Sequence, residues 1–215
     1  MNLSLNIQKI QSKLQNQTIV AATKYVESDI IRQLFSQGIT NIGENIAQAL
    51  LKKQSELLDL PITWHFIGHL QTNKVKTIIN KITYLHSLDS LRLAAEINRF
   101  RNTPLACFIE VNISNEPAKT GIAIEELTNF VTELAKYDKI IVVGLMGMAA
   151  NTSDFAEIRR SFMKLAQLRY DIQKRQLPSA PCQFLSMGMS HDYQIAIECG
   201  ATHLRLGSIL FRSEE

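Results

Sequence analysis

Short apolar runs rich in β-branched residues alternate with helical patterns along all 215 residues of the chain. The spacing predicts a first helix over about 3–15. Eight strands are predicted: 18–24 (TIVAATK), 39–43 (ITNIG), 62–68 (ITWHFIG), 82–87 (ITYLHS), 105–112 (LACFIEVN), 139–147 (KIIVVGLMG), 183–188 (QFLSMG) and 202–207 (THLRLG). Between them, apolar residues recur three and four apart, as one face of a helix requires. Ile30, Ile31, Leu34 and Phe35 mark one such helix, with Gly38 as its expected C-terminal stop. Leu127, Phe130, Val131 and Leu134 mark another, and Phe155, Ile158, Phe162 and Leu165 a third. Strands such as 139–147 are apolar on both faces, the mark of a parallel sheet covered by helices. Eight βα units in series predict an α/β fold, a single (β/α)8 TIM barrel with an extra N-terminal helix. A doubly wound open sheet is the alternative. No Pro/Gly-rich linker divides the chain, so 1–215 is expected to be one domain.

Composition narrows the function. Hydrophobic residues make up 46% and charged residues 20%, as in a protein with a substantial core. A net charge of +3 without a dense Lys/Arg block gives no reason to expect a nucleic-acid partner. The stretch around Lys52 and Lys53 is expected to be a solvated helix face. Cys107, Cys182 and Cys199 are widely spaced and odd in number, which suits free thiols in a reducing compartment. No CxxC or HxxxH pair suggests a metal site. The first residues lack the apolar core of a signal peptide, and the longest apolar run (140–150) is far short of the roughly 20 residues of a membrane helix. A cytoplasmic protein, monomeric as suits so compact a barrel, is expected.

In a (β/α)8 barrel, functional groups gather at the C-terminal strand ends. Those ends here carry Lys24, then GEN (43–45), GHLQTNK (68–74), HSLD (86–89), VNISNE (111–116), GLMGMA (144–149), SMGMSHD (186–192) and RLGS (205–208). The last two lie where this fold usually binds phosphate, and they pair Gly188 with Ser190 and Gly207 with Ser208. Ser190 could instead cap the helix that follows. Arg205 needs an acceptor, either a ligand ring nitrogen or a carboxylate such as Glu110. Lys24 ends an apolar strand. An amine held among apolar neighbours is partly desolvated and suits Schiff-base chemistry, whereas a lysine past a strand end can simply reach solvent. His65 and His86 are expected to be hydrogen-bonded core residues and Trp64 to pack outside the barrel. Met146, Met148, Met187 and Met189 are expected in core or pocket wall. Glu44 and Glu110 could pair with Lys24 or Arg205.

The motifs AATKY, GEN, WHFIGHLQTNK, VNISNEPAK followed by GIAIEELTNF, GLMGMA, SMGMSHD and RLGSILF occur in this order. In that order they resemble the pyridoxal 5'-phosphate (PLP) homeostasis family, over about residues 5–212. The resemblance implies a fold-type III barrel like the N-terminal domain of alanine racemase. It implies PLP held as a Schiff base on Lys24, with Asn45 beside the cofactor and Arg205 facing the pyridine nitrogen. It also implies that Ser186, Gly207 and Ser208 hold the phosphate, with Ser190 a weaker candidate. An arginine at the pyridine nitrogen disfavours protonation there, so the ring is a weaker electron sink.

Racemases of this type use a second domain and a partner subunit's tyrosine, for which the 215 residues leave no room. The expected role is therefore a PLP carrier that releases cofactor to apo-enzymes, with no catalytic residue. A weak or narrow amino-acid racemase is the alternative. On chemistry alone, a lysine-dependent aldolase acting on a phosphorylated sugar fits the same residues.

Overall fold

The structure, a computed structural model, describes residues 2–114 and 120–212. Eight parallel strands close into a barrel in chain order. They are β1 (Thr18–Ala22), β2 (Asn41–Glu44), β3 (Thr63–Phe66), β4 (Tyr84–Leu88), β5 (Leu105–Glu110), β6 (Ile140–Met146), β7 (Phe184–Ser186) and β8 (His203–Leu206). Closure excludes the open sheet, because β1 pairs with β8, with Val20 opposite Arg205 and Ala21 opposite Leu206. Each predicted strand is present, most of them shorter than predicted at the polar end. The segment 115–119, part of the predicted fifth strand end, lies outside the described residues.

The helices are α1 (Leu3–Gln11), α2 (Ser28–Ser36), α3 (Ala47–Glu56), α4 (Val75–Ile78), α5 (Leu91–Phe100), α6 (Leu127–Leu134), α7 (Phe155–Gln173), α8 (Tyr193–Glu198) and α9 (Ser208–Phe211). α2 stops where predicted. Gly38 has φ +83°, and the Ile39 N–H donates to the Leu34 carbonyl at 3.0 Å. That is a left-handed cap, which glycine adopts without a Cβ penalty. α1 is shorter than the predicted 3–15. It buries Leu3, Ile7 and Ile10, and Asn6 Nδ2 donates to the carbonyls of Leu210 (3.1 Å) and Arg212 (2.9 Å). The first helix is thereby fastened to the last.

Two cores differ in character. Between barrel and helices lies a continuous aliphatic layer that includes Ile31, Leu34, Ile42, Leu50, Trp64, Leu85, Ile97, Leu145 and Leu204. The barrel interior instead holds rings: His65 stacks on Tyr84, His86 on Phe108, and His203 meets Phe108 and Phe184 edge-on. His65 and His86 are fully buried, as core histidines.

One expectation fails. Lys53 is not on a solvated face; it is 4% exposed. Its Nζ donates to Glu44 Oε1 at 2.6 Å and to the Thr23 carbonyl at 2.7 Å. Thr23 Oγ1 also donates to Glu44 Oε1, at 2.5 Å. Lys52, next along α3, does face solvent and pairs with Glu27. Removing one partner of a buried ion pair costs roughly 3–5 kcal/mol, because the other charge is left uncompensated. Lys53→Met is therefore expected to lose about that much in urea unfolding. The double variant Glu44→Gln/Lys53→Met should lose clearly less, and equal losses would contradict a charge-paired core here.

Candidate functional site

A cavity of about 470 Å³ opens at the C-terminal mouth of the barrel, between the ends of β1, β7 and β8. Lys24, Tyr25, Ser190, Arg205, Gly207 and Ser208 line it, with Met189, His191 and Phe211 completing the wall. Five of the predicted positions thus meet here: Lys24, Arg205, Gly207, Ser208 and the weaker candidate Ser190.

β1 ends at Ala22. The Thr23 N–H still reaches the Gly43 carbonyl at 3.0 Å, and Lys24 then turns out of the ladder. Lys24 is exposed, with Nζ 4.5 Å from the centre of the Tyr25 ring. Of the two alternatives for this amine, the structure shows the lysine that reaches solvent past the strand end. Glu44 does not pair with it either, being engaged by Lys53.

The two glycine–serine loops are joined to one another. Ser190 Oγ accepts from the N–H groups of Ile209 (3.2 Å) and Gly207 (3.4 Å), which leaves its own proton free to donate. Ser190 therefore sits at the start of α9 and does not cap α8, whose preceding residue is Asp192. Asp192 accepts from the Met189 N–H at 2.6 Å and holds the loop closed. Gly188 turns the chain from β7 with φ +92°, and a Cβ there would lie 2.6 Å from Ala196 Cβ. At Gly207 a Cβ would make only ordinary contacts, 3.5 Å from Ala22 Cβ and from the Ala22 carbonyl oxygen.

Arg205 points into the barrel from β8 and is 6% exposed. Its Nη1 donates to Ser186 O (2.8 Å) and Ser186 Oγ (2.7 Å), and Nη2 to Gly147 O (3.3 Å). Among the described residues no carboxylate lies within 4 Å of the guanidinium. Glu110 instead accepts from Thr120 Oγ1 at 2.6 Å. Burial brings the Arg205 pKa down to about 10, opposed by the charges of Asp192 and Glu110, and burial raises that of Glu110. Two predicted positions lie outside this cavity. Ser186 is fully buried in β7, with its hydroxyl between Arg205 and His86. Asn45 borders a neighbouring cavity of about 220 Å³ with Gln71 and Lys74, and its buried Oδ1 has no hydrogen-bond partner.

The family described as alanine racemase, N-terminal domain, matches residues 1–215. A pyridoxal phosphate homeostasis protein from Aquifex aeolicus (strain VF5) is 40% identical over 196 residues, covering 90% of this chain and 85% of the relative. The chain belongs to this family. PipY of Synechococcus elongatus PCC7942, solved without PLP, superposes with a TM-score of 0.92 at 30% identity, covering 98% of this chain and all of PipY. The PipY structure with PLP bound gives 0.90 at 29% identity.

The residues present suit such a group. An amine (Lys24), two hydroxyls (Ser190, Ser208), a guanidinium with unused N–H groups and the Gly207 backbone at the cavity wall match the needs of a phosphorylated aldehyde. Met189 lines the wall, as one of the two places expected for it, whereas Tyr25, His191 and Phe211 were not singled out from sequence as lining residues. Each lies inside a motif already noted: AATKY, SMGMSHD or RLGSILF. Among the described residues no group of three or more acidic, His or Cys side chains is placed to hold a metal, and no helix is long and apolar enough to cross a membrane. The three cysteines are free thiols.

Burial keeps the inner histidines neutral. It lowers the pKa of His65 to about 3 and of His203 to about 4, and holds His86 well below 6.5. In the unfolded chain these groups protonate near pH 6.5. Their contribution is thus fully present above about pH 6.5 and is lost as pH falls from there toward 4, by up to about 1.4 kcal/mol per unit per histidine. His203→Phe is expected to flatten the fall in urea midpoint between pH 7 and 5. Parallel slopes for variant and parent would count against this account.

Proposed function

We propose that the chain binds PLP reversibly in the Lys24 cavity and acts as a carrier that keeps this aldehyde at low free concentration and releases it to apo-enzymes. The observation that carries this reading is Lys24, exposed at an open mouth beside the Ser190–Gly207–Ser208 loops. When bound, PLP supplies an aldehyde that condenses with primary amines, and Lys24 is the amine this cavity offers. The Ser190 and Ser208 hydroxyls donate to the phosphate, with the Gly207 backbone at the wall beside it. Arg205 directs its remaining N–H groups at the ring nitrogen, and as a fixed cation it disfavours a proton there. Asn45, just past the end of β2, borders the neighbouring cavity and does not line this one. Ser186 acts from beneath, through Arg205, and not at the phosphate.

The reading takes 1–215 as one cofactor-binding domain, working as a cytoplasmic monomer without a catalytic residue. Its support is the exposure of Lys24, which gives little shelter to a carbanion, and the naming of relatives as homeostasis proteins.

Borohydride treatment of the PLP-loaded protein followed by peptide mass spectrometry should place a pyridoxyl group on Lys24. Lys24→Ala should bind PLP at least about tenfold more weakly, a loss of 1.4 kcal/mol or more. Saturable racemisation of an amino acid, abolished by Lys24→Ala, would overturn the non-catalytic part. A sugar adduct on the lysine would point to an aldolase.

The phosphate assignment is tested separately. Ser190→Ala is expected to weaken PLP binding about tenfold, as for one hydrogen bond to a charged group, and to leave binding of unphosphorylated pyridoxal unchanged. Equal losses for both ligands would remove Ser190 from that role.

A further inference from the structure

A continuous row of hydrogen bonds crosses the barrel interior from its N-terminal end to the cavity. Asn41 Oδ1 lies 2.9 Å from His65 Nε2, and His65 Nδ1 lies 2.9 Å from His86 Nε2. His86 Nδ1 lies 2.8 Å from Ser186 Oγ, which in turn is 2.7 Å from Arg205 Nη1. His65, His86, Ser186 and Arg205 are buried and Asn41 is partly buried, and none of the three between Asn41 and Arg205 lines the cavity.

The chemistry of the two ends gives the row a direction. A guanidinium only donates, so Ser186 Oγ accepts from Arg205. The Ser186 proton then goes to His86 Nδ1. His86, neutral through burial, carries its proton on Nε2 and donates it to His65 Nδ1. His65 carries its proton on Nε2 and donates it to the Asn41 carbonyl. The Asn41 amide is turned consistently, with Nδ2 toward Thr40 Oγ1 at 3.3 Å. The opposite direction would point His86 Nδ1–H at Ser186 Oγ, which already accepts from Arg205. The serine proton would then have no acceptor among the contacts described. The rings are held in plane by their neighbours, His65 against Tyr84 (centroids 4.6 Å apart) and His86 against Phe108 (4.4 Å).

We propose that His65 and His86 are positioning residues for the ligand cavity: a one-way hydrogen-bond relay from Ser186 to Asn41 keeps the serine hydroxyl an acceptor toward Arg205 and so fixes the guanidinium at the cavity wall. The Ser186 carbonyl and hydroxyl occupy both Nη1 protons, and Gly147 O one on Nη2. What remains, on Nε and Nη2, is available to a ligand. If His86 cannot accept, the serine proton is free to turn toward Nη1–H and repel it. The guanidinium then loses one of the contacts that orient it.

The ligand arm of the test rests on the PLP reading above, and the spectroscopic arm does not. In the full chain, nitrogen-15 NMR of the imidazoles should show both His65 and His86 as neutral Nε2–H tautomers. A neutral Nδ1–H form at His86 would overturn the relay, whether or not the protein binds PLP. In PLP titrations, His86→Leu should lose about tenfold in affinity, the scale of one hydrogen bond to a charged group. His86→Gln carries both an acceptor and a donor and should recover most of that loss. In a Ser186→Ala background the two substitutions should become equivalent. Equal losses for Gln and Leu in the parent chain would show a packing role and sink the proposal. If the parent bound no PLP, the cofactor reading would fall, and the tautomers alone would decide the relay.

Discussion

The buried contact between Lys53 and Glu44 is the constraint on which the mouth of this barrel depends. It joins a helix to the ends of two strands, because the same ammonium also takes the Thr23 carbonyl and the same carboxylate takes the Thr23 hydroxyl. Thr23 is followed at once by Lys24, and Glu44 by Asn45. The two chain segments that leave the barrel toward the two cavities at its mouth are thus anchored one residue before Lys24 and Asn45. A charge pair in such a place is a stringent anchor, since neither partner tolerates the loss of the other.

The barrel interior follows the same logic. (β/α)8 barrels commonly fill it with branched aliphatic side chains. Here rings and polar groups occupy it, and every inner histidine is matched to a ring, a hydroxyl or an amide. The aliphatic core outside the barrel provides the bulk of the hydrophobic burial. The inner core is left to determine direction: which hydroxyl accepts, which ring nitrogen carries a proton, and where a buried arginine can aim.

The barrel was legible because its signal is redundant. Eight apolar runs alternate with helical spacing, and an error at one would not have changed the class. The strand ends were less so. Thr23 and Lys24 continue an apolar run in sequence yet leave the ladder in space, since polar residues at a barrel rim gain more from solvent or side-chain partners than from the sheet. Lys53 was misplaced because α3 carries two adjacent lysines, and spacing alone does not tell which one meets a carboxylate brought over from β2. Ser186 and Ser190 differ by four positions in one motif. Only the bend at Gly188 shows that the first lies under Arg205 and the second faces the cavity. The histidines were legible as core, but their order in a row required the register of five strands.

The clasp between Asn6 and the carbonyls of Leu210 and Arg212 joins residues about two hundred positions apart. The loop it supports carries Gly207 and Ser208. During synthesis, Lys24 leaves the ribosome early, but the other half of its cavity does not exist until the final strand has been made and drawn back to the first helix. A partly made chain therefore presents Lys24 without the opposite wall of its cavity, which arises only on completion of the ring.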